Sequence, residues 1–382
     1  VTRGGSLALR AAAAALVALS LGWIVGGQCA LGRVDPALSL PLVALPTLIL
    51  VWSRRSATRG ERWRAIALSL LILLAVQTIV ALAMSDGSPW LQLALVAVGW
   101  MLAATVADTL VQWRRGAALT FFMAALFVAG WFAAGHVLLA ALYRPAIASG
   151  PPVTLLTGLP LRWSAGEDMA AMIAAGTNED PVLARLRASG PVEIVDSLVD
   201  HPPASGGALL IAHPRALAPQ ELVAIDAFVR GGGRAVILAD ALTGWPVRHP
   251  IGDPRNPPVT SLLTPLLDHW GVTLAAASAG EKERSVDVEG ARLRLFSAGR
   301  FERLPPACRA FAASRIARCP IGRGEVWLVG DADLLFAPLW QGDPVWANHL
   351  RRADTMEWLA ARLWPDAPRA LLLPLWARLP AE

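Results

Sequence analysis

Nearly unbroken apolar runs occupy residues 7–26, 37–52, 65–84, 90–111 and 118–142, and beyond 145 the pattern changes to short apolar bursts separated by polar turns. A bilayer-crossing helix needs ~20 apolar residues, so the first half predicts an all-α bundle of five transmembrane helices. The second run is short and contains Pro41 and Pro46, which predicts a kinked or tilted span. The second half reads differently. The segment Ala208–Ala212 and residues 235–239 are continuous apolar runs of strand length, as in strands buried on both faces. Between them Pro219 suits a first helical turn. Leu222, Ile225, Phe228 and Val229 form one apolar helical face, and Gly231, Gly232 and Gly233 stop the helix. A β-α-β unit of this size implies a parallel sheet with a right-handed crossover.

Around this unit the same reading gives strands at 153–157, 191–195 and 272–275, helices at 181–188 and 261–270, and a last helix at 346–363. Residues 284–330 alternate as antiparallel strands do, through Val286/Val288, Leu293/Leu295, Phe311 and 326–329. The tail PRALLLPLWARL has too few apolar residues to span a bilayer, although it could rest on one. The expected organisation is a transmembrane domain over 1–145 and an α/β domain over 146–382, with a mostly parallel sheet plus antiparallel strands.

Charge sharpens the division. Hydrophobic residues make up 55% of the chain and charged residues 16%. Residues 1–145 hold 11 Arg and 4 acidic residues (net +7), whereas 146–382 hold 23 Lys+Arg and 25 acidic residues (net −2). The basic balance belongs to the membrane half, so bulk charge gives no reason to expect a nucleic-acid partner. Arg3, Arg10, Arg54, Arg55, Arg59, Arg62, Arg64, Arg114 and Arg115 fall on one side of the five-span arrangement, and Arg33 and Arg144 on the other. By the positive-inside rule the amino terminus is cytoplasmic and the α/β domain periplasmic, in a multi-pass protein of a bacterial inner membrane. The sequence VGGQCALG is a poor signal-peptide cleavage site, and Gln28 before Cys29 is a poor lipoprotein site. The first span therefore reads as a retained helix.

The stretch LLIAHPRALAPQELVAIDAFVRGGGRAVIL resembles the soluble domain of auxiliary proteins of gliding-motility-type ABC transporters. In those proteins hP-x-x-L-[ST]-x-x-E-h-x-x-I-D-x-F-h-x-x-G-G (h, hydrophobic) precedes a buried strand. The resemblance extends more weakly over 153–364, including GEVWLVGDADLL, and does not cover 1–145. Ala218 stands where the family prefers Ser or Thr as helix cap. The resemblance implies a class I glutamine amidotransferase-like fold, a non-catalytic subunit that works by binding, and ABC ATPase and permease subunits as partners.

An amidotransferase-like fold raises the question of a nucleophile. A nucleophile elbow needs Gly-x-Cys/Ser-x-Gly, because the strained strand-to-helix turn requires small neighbours. The chain has no such pentapeptide, and DALTG follows the 235–239 run. There is no G-x-x-x-x-G-K-[ST] phosphate loop either, and Lys282 is the single lysine. The six histidines show no i,i+4 pair and no Cys/His spacing, so no metal motif and no cofactor is expected. Ligands of parallel α/β sheets bind beyond the carboxyl ends of strands. There the pattern collects His213 and Asp240, with Arg248, His249, Asp253 and Arg255 from the proline-rich loop 242–260. These residues suit a glycan, peptide or anion, or else form a hydrogen-bonded rim that holds the loop. Asp331 and Asp333 leave a similar choice between a divalent ion and loop capping. Within the spans Asp108 and His136 lie at different depths, which argues against a direct pair between them.

Cys308 and Cys319 flank a segment expected to fold back near Ala313 and Ser314. That turn sets Ala312 opposite Arg315, Phe311 opposite Ile316 and Cys308 opposite Cys319. In an oxidising compartment it predicts a disulfide. Two functional readings from other classes stay open: a stand-alone envelope sensor or scaffold, and an envelope hydrolase or amidotransferase.

Overall fold

The computed structural model describes all residues except 1–2, 114–115, 162–178, 248, 251, 254–255, 279 and 381–382. The chain divides into two compact units. One comprises 1–144, 342–351 and 370–382, and the other comprises 145–341 and 352–369.

The first unit is helical, with α1 (Arg3–Ile24), α2 (Gln28–Leu31), α3 (Ala44–Ser53), α4 (Arg59–Met84), α5 (Trp90–Gln112) and α6 (Ala117–Leu142). Among the described residues, four helices are long and apolar enough to cross a membrane. The 3-10 helix Pro36–Leu42 and α3 form a fifth candidate, bent by 58°. The bend falls where Pro41 and Pro46 interrupt the run, because proline removes a backbone donor and clashes with the preceding turn. Small residues let the helices approach: Ala14, Ala15, Ala18, Ala65, Ala103, Ala104 and Ala107 pack with Leu73, Val96 and Trp100 in one core. Asp108 is buried in an ion pair with Arg62 (2.7 Å), and Gln112 donates to its other oxygen (2.6 Å). His136 instead meets His349 (Nδ1···Nε2 2.8 Å). Thr58 and Glu61 complete a capping box at the start of α4.

Two stretches from late in the sequence belong to this unit. Arg33 is fully buried and donates to the carbonyls of His349 (2.5 Å) and Arg351 (2.7 Å). Those bonds hold 342–351 outside any α-helix, so the last helix is shorter than the periodicity predicts and spans Thr355–Leu363 only. The tail is not a free surface segment. Leu372, Ala377 and Arg378 donate backbone N–H groups to the carbonyls of Leu142, Gly32 and Met84, and Val34 donates to Leu375. Leu372, Leu375 and Trp376 are buried, while Leu371 and Leu373 remain exposed.

The second unit is built on a seven-stranded sheet. Its strands are β1 (Val153–Thr157), β2 (Val192–Val195), β3 (Ala208–Ala212), β4 (Arg234–Leu238), β9 (Arg309–Phe311), β10 (Ile316–Ile321) and β11 (Gly324–Val329). They lie in the order β2-β1-β3-β4-β11-β10-β9. Strands β2, β1, β3, β4 and β11 run parallel, and β10 and β9 extend the sheet antiparallel. Two small antiparallel pairs, β5 (Thr273–Ala275) with β8 (Arg300–Arg303) and β6 (Glu283–Val288) with β7 (Ala291–Phe296), lie outside it. The 326–329 run was expected among antiparallel strands. It pairs antiparallel with β10 on one side and parallel with β4 on the other, which a one-dimensional alternation cannot distinguish.

Both faces of the sheet are covered. Leu155, Leu210, Val236, Leu238 and Val329 point to one core with Leu183, Met356 and Leu359. Leu156, Leu209, Ile211, Ile237 and Leu328 point to the other with Ile225, Val229 and Leu267. This period-2 partition explains the continuous apolar runs. Helix Pro219–Arg230 starts without a side-chain cap at Ala218. Glu221 is used elsewhere, accepting bonds from Ser197 Oγ and Leu198 N (both 2.7 Å). Gly232, at φ +110°, turns the chain out of that helix.

The disulfide forms between Cys308 and Cys319. Phe311 pairs with Ile316, and Ala312, Ala313 and Ser314 make the turn with positive φ. The ladder is the one read from the sequence.

Candidate functional site

Strands β3, β4 and β11 are in register at their carboxyl ends, with Ala212 opposite Leu238 and Leu238 opposite Val329. His213 follows β3 directly, while Asp240 and Asp331 each lie two residues past the aligned pair. Parallel strands with equal overhangs bring equal positions side by side. Asp333, one short turn further, completes the group. One carboxylate oxygen from each of Asp240, Asp331 and Asp333 lies within 4.8 Å of the others, and all three residues are buried.

Each carboxylate is held by two donors. Asp240 accepts from Leu242 N (3.0 Å) and Ala332 N (3.3 Å). Asp331 accepts from Phe296 N (2.7 Å) and Leu334 N (3.2 Å). Asp333 accepts from Thr243 Oγ1 (2.8 Å) and Gly244 N (2.5 Å). The cluster thus ties the turns after β4 and β11 to the end of β7. Burial and the neighbouring Asp333 charge push Asp240 up to about 7. Burial, with Asp240 and Asp333 beside it, raises Asp331 well above the usual carboxylate range. Asp333 is raised by burial and pulled back by its N–H and hydroxyl donors. Three buried like charges this close cannot all ionise. Retained protons relieve that repulsion, in keeping with the raised Asp240 and Asp331, and the donor set of carboxylate oxygens also suits a hard divalent cation.

His213 is fully buried with φ +46°. Its Nε2 donates to the Pro258 carbonyl (2.7 Å), which leaves Nδ1 as a lone pair without a partner. Burial holds its pKa below the ordinary histidine value, against the Pro258 carbonyl and the Asp333 charge. A small cavity of about 90 Å³ opens beside Asp240, lined also by Thr260, Ser261, Thr264, Asp268 and Thr273. Ser261 N donates to Asp240 O (2.7 Å), while its buried hydroxyl has no partner.

Of the residues singled out from the sequence, His213 and Asp240 stand at the strand ends. His249 and Asp253 lie half-buried in the loop. Arg248 and Arg255 lie outside the described residues. The loop is organised by Asn256, which the sequence reading missed: it accepts from His249 N (3.1 Å) and donates to the carbonyls of His249 and Pro250 (both 2.9 Å). Also missed was the union of Asp240 with Asp331 and Asp333. One signal was available, since AVILAD and WLVGD are both buried strands with an aspartate two residues past the end. The Cys308–Cys319 bridge leaves neither sulfur as a free thiol.

The chain thus joins helices apolar enough for four to five membrane spans to an α/β domain with a mostly parallel sheet. Residues 151–291 match the model of a family described as an ABC-type uncharacterized transport system, so the resemblance to ABC-transporter auxiliary proteins holds over that stretch. No curated protein matches the chain. Among solved structures, an exo-β-1,4-mannosidase from Opitutaceae bacterium strain TAV5 is 14% identical, covering 63% of this chain and 39% of its own, with a TM-score of 0.33. A β-galactosidase from Rahnella sp. R3 is 13% identical, covering 65% and 35%, with a TM-score of 0.30. A cytoplasmic protein from Salmonella typhimurium LT2 is 11% identical, covering 57% and 100%, with a TM-score of 0.32. The chain spans about two fifths of the length of the mannosidase it matches. At such TM-scores none of these likenesses bears on this chain's activity.

Proposed function

We propose that the protein is a membrane-anchored, non-catalytic auxiliary subunit of an ABC-type transporter or cell-envelope machine. Its helical unit sits in a bacterial inner membrane, and its α/β unit, of class I glutamine amidotransferase-like fold, serves as a periplasmic binding module. The observation that carries this reading is the family match over residues 151–291. The chemistry supports it. After β4 the chain runs DALTG, without a cysteine or serine, and the carboxylate of Asp240 is engaged by Leu242 and Ala332. The bonds of Asp240 and Asp333 to the turns hold loops in place. The Cys308–Cys319 bridge supports an oxidising location.

The loop that Asn256 organises would present His249 and Asp253 to a glycan, peptide or anion. Without a nucleotide site of its own, the subunit depends on an ATPase and a permease. Purification from native membranes in mild detergent should recover all three together. Repeated recovery of the chain alone would overturn the transporter reading in favour of a sensor or scaffold.

A further inference from the structure

Two imidazole rings join α6 to the 3-10 helix Asn348–Leu350. His136 Nδ1 and His349 Nε2 lie 2.8 Å apart, so one of them carries a hydrogen and the other accepts it. His136 is half-buried, whereas His349 is fully buried. The second His349 nitrogen, Nδ1, has no hydrogen-bond partner among the described residues. Were His136 the donor, neutral His349 would carry its hydrogen on that Nδ1, as a buried N–H without an acceptor. The nearby charges oppose this. Arg33 donates to the His349 carbonyl (2.5 Å) and Arg351 to that of Asn348 (3.3 Å), so two guanidinium groups are bonded to the turn that carries the ring. A bare lone pair suits such a site better than an N–H does. His349 Nε2–H is therefore the donor, His136 Nδ1 the acceptor, and His136 keeps its own hydrogen on Nε2.

In this state neither ring can take a proton without disrupting the pair. A proton on His136 Nδ1 sets N–H against N–H, unless the His349 hydrogen moves to Nδ1, where it meets the guanidinium groups and no acceptor. A proton on His349 Nδ1 brings a full charge to the same place. The surroundings offer no relief. Asp35, the acid beside Arg33, accepts from the Tyr143 hydroxyl (2.5 Å) and from Ala37 N (3.2 Å). Phe132 and Trp346, the aromatic neighbours of His136 and His349, do not titrate. Asp343, the remaining charged residue of 342–351, is exposed. Burial first, then His136, Arg33 and Arg351, push His349 down to about 3 from its ordinary 6.5.

We propose that His136 and His349 form an acid-sensitive latch, which holds the turn Asn348–Leu350 against α6 while both rings are neutral and releases it on protonation. The released turn gives up the bonds from Arg33 to the carbonyls of His349 and Arg351. Once free, His349 binds a proton below about 6.5, which the latched ring does not. The latch is thus fully closed above that value and weakens as pH falls toward 3. It lies within the helical unit and works the same way whatever the α/β domain binds.

The test is hydrogen exchange on the full chain in nanodiscs from about pH 8 to 5, with each rate divided by the peptide's intrinsic rate. Protection factors in 342–351 should be constant above about pH 6.5 and fall on the order of tenfold for each unit below it. Peptides of α4, which has no histidine, should keep theirs. His349→Phe keeps an aromatic ring in the site and leaves the released turn no imidazole to protonate, so its profile should be nearly flat. A flat wild-type profile would overturn the latch. So would a parallel loss across α4, which marks acid unfolding of the whole bundle, or a slope unchanged in His349→Phe. Should that variant fail to fold, the wild-type comparison of 342–351 with α4 decides alone.

Discussion

In the helical unit Asp108 is buried against Arg62 at 2.7 Å, with Gln112 at 2.6 Å. In the sheet unit Asp240, Asp331 and Asp333 are buried against one another, and their bonds run to backbone N–H groups and the Thr243 hydroxyl. The first arrangement compensates a negative charge with a positive one. The second compensates three carboxylates with dipoles and raised proton affinity. The two devices answer different surroundings. Spans in a lipid medium have no water and few spare N–H groups, since the helix consumes its own. The ends of parallel strands leave backbone donors free in turns, and a carboxylate can collect two of them.

The comparison breaks most sharply if one partner of each device is removed. Arg62→Leu strands Asp108 in a buried site, and the full chain in detergent should lose roughly 3–5 kcal/mol of stability. The double variant Arg62→Leu/Asp108→Leu should regain much of it. A single variant with unchanged thermal midpoint would show that water reaches Asp108 and that the pair is not buried in solution.

Acidity separates the devices next. A carboxyl raised from 3.8 to about 7, like Asp240, holds its proton in the folded state where the unfolded chain has released it. Its contribution is fully present below about 4 and is lost as pH rises toward 7. The protection factors of peptides covering 238–244 and 331–336, that is, exchange corrected for its intrinsic base catalysis, should therefore fall between pH 5 and 7, on the order of tenfold each time the pH rises by one. Asp240→Asn should flatten that dependence. A flat wild-type profile would mean that the three carboxylates do not share protons. If addition of Mg²⁺ or Ca²⁺ alone flattened it, a cation would be the compensating charge.

The smallest effect is the most diagnostic. Neutralising one of three repelling carboxylates removes a cost along with a hydrogen bond, so Asp333→Asn should change stability by about 1 kcal/mol or less. Asp108→Asn leaves Arg62 without its ion partner and should cost several times more. Equal losses would erase the distinction between the two regions.

Much of this architecture was written in local pattern. The spans, the strands Val153–Thr157 and Ala208–Ala212, the helix beginning at Pro219 and the Cys308–Cys319 ladder follow from periodicity and turn chemistry. Each depends on neighbours within a few residues, and such information is one-dimensional. The bend between Leu42 and Ala44 was legible for the same reason, because proline acts on its own turn.

What tertiary structure alone decided are associations across long separations. The segments 342–351 and 370–382 join the helical unit because Arg33, over 300 positions away, donates to His349 and Arg351, and Leu375 accepts from Val34. The carboxylate cluster exists because β4 and β11, ninety positions apart, happen to be adjacent and in register. No local signal encodes which strand lies beside which. An aspartate two residues past a strand can be read from the chain, but its neighbour is fixed only when the sheet is assembled.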